Sequence, residues 1–135
     1  MTIRSKIFMA ALLIGALPMV ICASRARAQE TVWTTIIPKV FPGFVYTWRL
    51  KPGGSYSEDG RDTATGKAVQ PRLSGHWRVT GRRMVLKQDG IGYVFDGNFI
   101  GDEYLGVLYL DGKRFARFCA IKGEAPPQTC ADISV

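Results

Sequence analysis

Hydrophobic side chains recur at alternate positions along this chain, in short runs separated by turn-forming residues. The clearest stretch is Ile91 to Ala120, IGYVFDGNFIGDEYLGVLYLDGKRFARFCA. Ile91, Tyr93, Phe95 and Phe99 share one face, with Val94, Asp96 and Asn98 on the other. That alternation marks a half-buried antiparallel strand. Two tight turns, Ile100-Gly101-Asp102-Glu103 and Leu110-Asp111-Gly112-Lys113, divide the stretch into three consecutive strands. Asp111-Gly112 is the stronger signal, because a tight hairpin turn needs positive φ at its central residues and Asp-Gly supplies it at little steric cost.

The same alternation appears upstream. Phe44, Tyr46, Trp48 and Leu50 oppose Val45, Thr47 and Arg49; Lys51-Pro52-Gly53-Gly54 then turns the chain into a short strand beginning at Ser55-Tyr56-Ser57. Leu73, Gly75, Trp77 and Val79 face inward, against Ser74, His76 and Arg78. Thr80-Gly81 leads into a strand with Met84 and Leu86 inward, and Gln88-Asp89-Gly90 turns again. In the late strands Tyr104, Leu108 and Leu110 oppose Leu105, Val107 and Tyr109, so both faces are apolar. A strand covered on its outside by the N-terminal arm or the C-terminal tail fits that pattern. No segment after residue 28 has the period of a long amphipathic helix. The expected fold is all-β: a small antiparallel meander of six or seven short strands that forms a barrel, of calycin-like architecture, or a sandwich.

Two segments read differently. In residues 29–43, Pro38 and Pro42 forbid a regular helix, which leaves an edge strand or an arm across one end of the barrel. Residues 58–72, EDGRDTATGKAVQPR, read as one long polar connection, with Glu58 and Asp59 as ordinary turn residues.

The first 28 residues have the form of a cleaved secretory signal peptide. Arg4 and Lys6 precede an apolar run, and Ala26-Arg27-Ala28 ends the segment with small residues flanking a cleavage site. The run is short for a bilayer core of roughly 30 Å and is broken by Gly15 and Pro18, so no stable membrane span is expected after cleavage. A single domain of about 107 residues, 29–135, remains, with a periplasmic or secreted location. Its 14 basic side chains stand against 11 acidic ones, so the high pI belongs largely to the export segment. Nucleic-acid binding asks for a more one-sided charge field and is not expected. In an oxidising compartment Cys119 and Cys130 read as one disulfide, worth on the order of 3 kcal/mol in the chain-entropy model. A metal site is not expected from two cysteines and the distant His76, which lack ligand spacing.

The chain offers little for catalysis. His76 is the single histidine, and Ser74 lies on the same face, but no nucleophile elbow surrounds that serine. Phosphate loops, dinucleotide fingerprints and zinc-protease helices are absent, and the acidic pairs Glu58-Asp59 and Asp102-Glu103 fall at turns. The expectation is a binding protein without a cofactor, not an enzyme. Tyr46, Trp48, Trp77, Tyr93 and Phe95 point to one interior and form the candidate pocket. A barrel of about eight strands is just wide enough inside to be filled by side chains or to hold one small ligand. A small apolar or aromatic ligand suits such an interior. The alternative is a protein-interaction module of the cell envelope, an inhibitor or accessory subunit, using the 58–72 loop or the surface around Tyr104 and Tyr109. Gly75-His76-Trp77, a Gly-x-Trp on a barrel strand, resembles the signature of the lipocalins among the calycins. It lies near the middle of the mature chain and not on the first strand, so the likeness implies similar architecture and no site.

Overall fold

The computed structural model describes residues 29–124, and its regular structure is a single closed barrel of eight antiparallel strands. In chain order these are β1 (Thr31–Ile36), β2 (Phe44–Leu50), β3 (Ser55–Asp62), β4 (Ala68–Thr80), β5 (Arg83–Gln88), β6 (Tyr93–Ile100), β7 (Glu103–Leu110) and β8 (Lys113–Lys122). Each strand pairs with the next, and β8 pairs with β1 to close the ring. Full closure leaves no sheet edge exposed, and it decides for a barrel over a sandwich. At the β7–β8 turn Asp111 has φ 50° and Gly112 φ 78°, the left-handed pair that a tight hairpin requires.

Two segments differ from their sequence reading. The N-terminal segment is a wall strand, not an arm: β1 pairs Trp33 with Trp48 of β2 and with Lys122 of β8. It ends before Pro38, so the missing proline amides fall outside the ladder. Nor do residues 58–72 form a long loop. They are mostly the facing ends of β3 and β4, joined through residues 63–67, where Asp62 Oδ1 accepts the Ala64 amide at 2.8 Å. This hairpin tip is polar on both faces because both sides are largely exposed, which erases the alternation that would have marked strands. Below the tip the pairing is irregular. Glu58 lies opposite Leu73 and Gly60 opposite Val69, so two steps along β3 are matched by four along β4. The outward side chains of β7, Leu105, Val107 and Tyr109, are half-buried; the C-terminal tail proposed to cover them lies outside the described residues.

The interior is packed with rings. Trp48 is fully buried, with its ring centroid 4.8 Å from Phe95, 5.8 Å from Phe118 and 6.0 Å from Tyr104. The Tyr104 hydroxyl donates to the Met84 carbonyl at 2.5 Å, which satisfies the polar end of a buried ring. One end of the barrel is closed by aromatic plugs. Trp33 packs against Phe99 with ring centroids 5.6 Å apart and planes tilted by 40°, and the Trp77 indole N–H donates to the carbonyls of Lys51 (2.9 Å) and Ser55 (3.0 Å) across the β2–β3 turn.

Close approach of β6 and β7 depends on two facing glycines, Gly97 and Gly106. A Cβ on Gly106 would lie 2.1 Å from the Asp96 carbonyl oxygen and 2.5 Å from the Gly97 Cα, and backbone atoms cannot move aside as a side-chain tip can. Gly106→Ala is therefore expected to destabilise the protein by on the order of 3 kcal/mol, read by urea denaturation. An unchanged midpoint would show that the two strands separate without cost.

Candidate functional site

The end of the barrel opposite the aromatic plugs is not filled. A cavity of about 200 Å³ lies there, bounded by the chain after β1, the bulged part of β4 and the β5–β6 turn. Its walls are mainly apolar: Ile37, Phe41, Val69, Pro71, Leu73, Phe95 and Leu108, with the rings of Tyr46 and Tyr93. Local structure places each of these. After β1 the chain makes one helical-type turn, with the Phe41 amide donating to the Ile37 carbonyl at 2.9 Å. That turn sets the Phe41 ring edge-on to Tyr46 (6.2 Å) and against Phe115 (6.3 Å) at the rim. The irregular pairing of β3 with β4 brings Val69, Pro71 and Leu73 to the same wall.

The polar floor is Glu58. It is 4% exposed, and each carboxylate oxygen accepts one hydrogen bond: Oε1 from the Trp48 indole at 2.6 Å, Oε2 from the Gln88 amide at 2.6 Å. Burial dominates its titration and raises the carboxyl to about 7; the two hydrogen bonds pull the value down and the charge of Asp59 pushes it up. Among the described residues, no lysine, arginine or histidine lines this cavity. Tyr46, on the neighbouring strand opposite Gly60, is pushed up to about 12, first by burial and then by the negative charge of Glu58. Tyr56, two residues before Glu58, is raised for the same two reasons. Among the described residues, the Gln88 Oε1 and Tyr56 hydroxyl oxygens are buried without a hydrogen-bond partner.

Of the residues singled out from the sequence, Tyr46, Tyr93 and Phe95 line the cavity. Trp48 sits directly beneath it, touching Phe95 and bonded to Glu58. Trp77 lies at the closed end, away from the other four. Cys119 is fully buried although its register position, between the inward Phe118 and Ala120, points it outward; Cys130 lies outside the described residues. Ser74 and His76 are exposed on the outer wall, with His76 Nδ1 3.5 Å from Asp89 Oδ1.

Sequence reasoning missed Glu58 and Gln88. A signal was present, since Glu58 continues the inward series of Tyr56 and Gln88 continues that of Met84 and Leu86. A polar residue in an inward register is more informative than an exposed apolar one. A larger groove of about 750 Å³ crosses the outer face of β1–β3. Arg49 is paired there with Glu30 and Glu124 and Asp59 with Arg72, and Asp62 accepts the Ala64 amide, so much of its charge is already engaged on an open surface. Among the described residues no group of three or more metal-ligating side chains gathers, and no helix is long and apolar enough to cross a membrane.

Comparison with known protein families, curated proteins and solved structures finds no match to this chain.

The Glu58 carboxyl has a testable consequence for stability. Its native pKa of about 7 lies above its ordinary value of 4.5, so the native state holds a proton that the unfolded chain has already released. The stabilisation is thus complete below about 4.5 and is lost as the pH rises through about 7. Between pH 5 and 8 the wild type is expected to lose about 2 kcal/mol relative to Glu58→Gln, measured by denaturant titration. Parallel pH profiles for the two proteins would show that Glu58 ionises as freely as an exposed carboxyl.

Proposed function

We propose that this protein is an exported binding module that takes a small, mainly aromatic ligand into the open end of its barrel, acting by binding and not by catalysis. The observation that carries the reading is the unfilled space at one end of an otherwise ring-packed interior. Apolar walls with a few placed polar groups are the usual construction of a small-molecule site, and here Tyr46, Tyr93 and Phe95 supply the walls while Glu58 and Gln88 supply the polar floor. The volume, about 200 Å³, suits a single ring with a short substituent.

Export and the disulfide belong to the same proposal. A bridge from Cys119 to Cys130 accounts for the complete burial of an outward-facing cysteine. It also suits a small domain in an oxidising compartment. A mature protein starting at residue 29 and two hydrogens lighter than its reduced mass is the expected product; free thiols in protein purified without reductant would remove the bridge.

Ligand entry is read out by Trp48, whose indole N–H bonds to the cavity floor. Titration with ethylbenzene is expected to shift the Trp48 indole N–H resonance saturably. Leu73→Trp, which fills the cavity, is expected to abolish that shift while the circular dichroism spectrum stays that of the wild type. Absence of any saturable shift in the wild type would overturn the pocket reading.

A further inference from the structure

The polar atoms at the cavity floor have an imbalance that specifies the ligand further. Each Glu58 oxygen accepts one hydrogen bond and keeps a lone pair in reserve. The single Trp48 N–H and one of the two Gln88 amide hydrogens are already given to Glu58. That orientation leaves Gln88 Oε1 buried and, among the described residues, without a donor. Against one remaining Gln88 hydrogen stand the spare lone pairs of both Glu58 oxygens and of Gln88 Oε1, so acceptors predominate and a complementary ligand is mainly a donor.

Charge points the same way. Among the described residues, Glu58 is the only charged side chain that lines the cavity. An ionised carboxylate removed from water is costly unless a proton or a cation compensates it, and the described residues of this wall supply no cationic side chain. The rings of Tyr46, Tyr93 and Phe95 line the same space, and an aromatic π system attracts a cation and repels an anion over its face. A neutral alcohol would satisfy lone pairs but leave the charge, and an acidic ligand would add to it.

Resting on the pocket reading above, we propose that the cavity selects a small aromatic amine, its ammonium group seated against the Glu58 carboxylate and Gln88 Oε1 and its ring among Tyr46, Tyr93 and Phe95. The ammonium displaces the proton of Glu58, so affinity follows the ionised fraction of that carboxyl. The other titratable groups around Glu58 are Tyr46, Tyr56, Tyr93 and Asp59. Burial and the charge of Glu58 keep the Tyr46 and Tyr56 phenols protonated through the neutral range, and Asp59 is engaged on the outer face by Arg72.

Two probes of matched shape test this: benzylamine, cationic at both pH values used, and ethylbenzene, which carries a methyl group in place of the ammonium. Calorimetric titration of the wild type at pH 6 and pH 8 is expected to show benzylamine binding about tenfold more tightly at the higher pH, as the ionised fraction dictates. Ethylbenzene is expected to bind more weakly than benzylamine at pH 8, with no pH dependence. In Glu58→Gln benzylamine should bind no more tightly than ethylbenzene and lose its pH dependence. If ethylbenzene binds the wild type as well as benzylamine does at pH 8, or benzylamine affinity does not rise with pH, the amine proposal fails while the pocket stands. If neither probe binds, both readings fail. Should Glu58→Gln not fold, the wild-type comparison at the two pH values decides the matter alone.

Discussion

The hydrogen bond from the Trp48 indole to the Glu58 carboxylate marks the boundary between the two halves of this barrel. The two residues face each other across the β2–β3 ladder, and Gln88 reaches the same carboxylate from β5. On one side of that bond lie Phe95, Tyr104 and Phe118, packed ring against ring around Trp48. On the other side, rings line a space instead of filling it. A large aromatic whose polar end must be satisfied when buried is thus secured by an acid whose own burial is tolerable only because donors meet it. Remove the acid and Trp48 loses its partner; remove the tryptophan and the acid loses one of its two donors.

Closure sets the limits within which that bond operates. Eight strands enclose an interior with little room to spare, so each inward position decides whether the barrel is solid or hollow at its level. Trp33, Phe99 and Trp77 close one end, while glycines at inward positions in β4, β6 and β7 let the wall bend and the backbones approach. At the other end the inward residues of β3 and β4 are Gly60, Val69 and Leu73, which are too small to meet across the barrel. The cavity is the consequence of size at these positions, and its chemistry is the consequence of Glu58 lying at its base.

Much of the candidate site was legible in the chain, though only in part. Tyr46, Trp48, Tyr93 and Phe95 were assigned to one interior by alternation, and they do gather there. Trp77 shares their face but not their height: β4 is the longest strand, and its far end carries Trp77 to the β2–β3 turn. Alternation reports which side of the wall a residue takes and is blind to position along the barrel axis, because strand tilt and stagger belong to closure. Glu58 was hidden for a related reason. Acidic and glycine residues following it look like a loop, whereas in the folded chain they continue β3 past the core into water.

The sequence by itself determined the all-β class, the successive hairpins and the inward set of aromatic side chains. These rest on local physics: side chains alternate along a strand, and Asp-Gly turns accept positive φ. Only the tertiary structure decided that β1 meets β8, that the ring closes as a barrel and not a sandwich, and that a buried carboxylate forms the floor of a cavity. Those features depend on contacts between residues far apart in the chain, such as Glu58 with Gln88 and Thr35 with Ala120. No local pattern encodes which distant partner a half-buried strand will find.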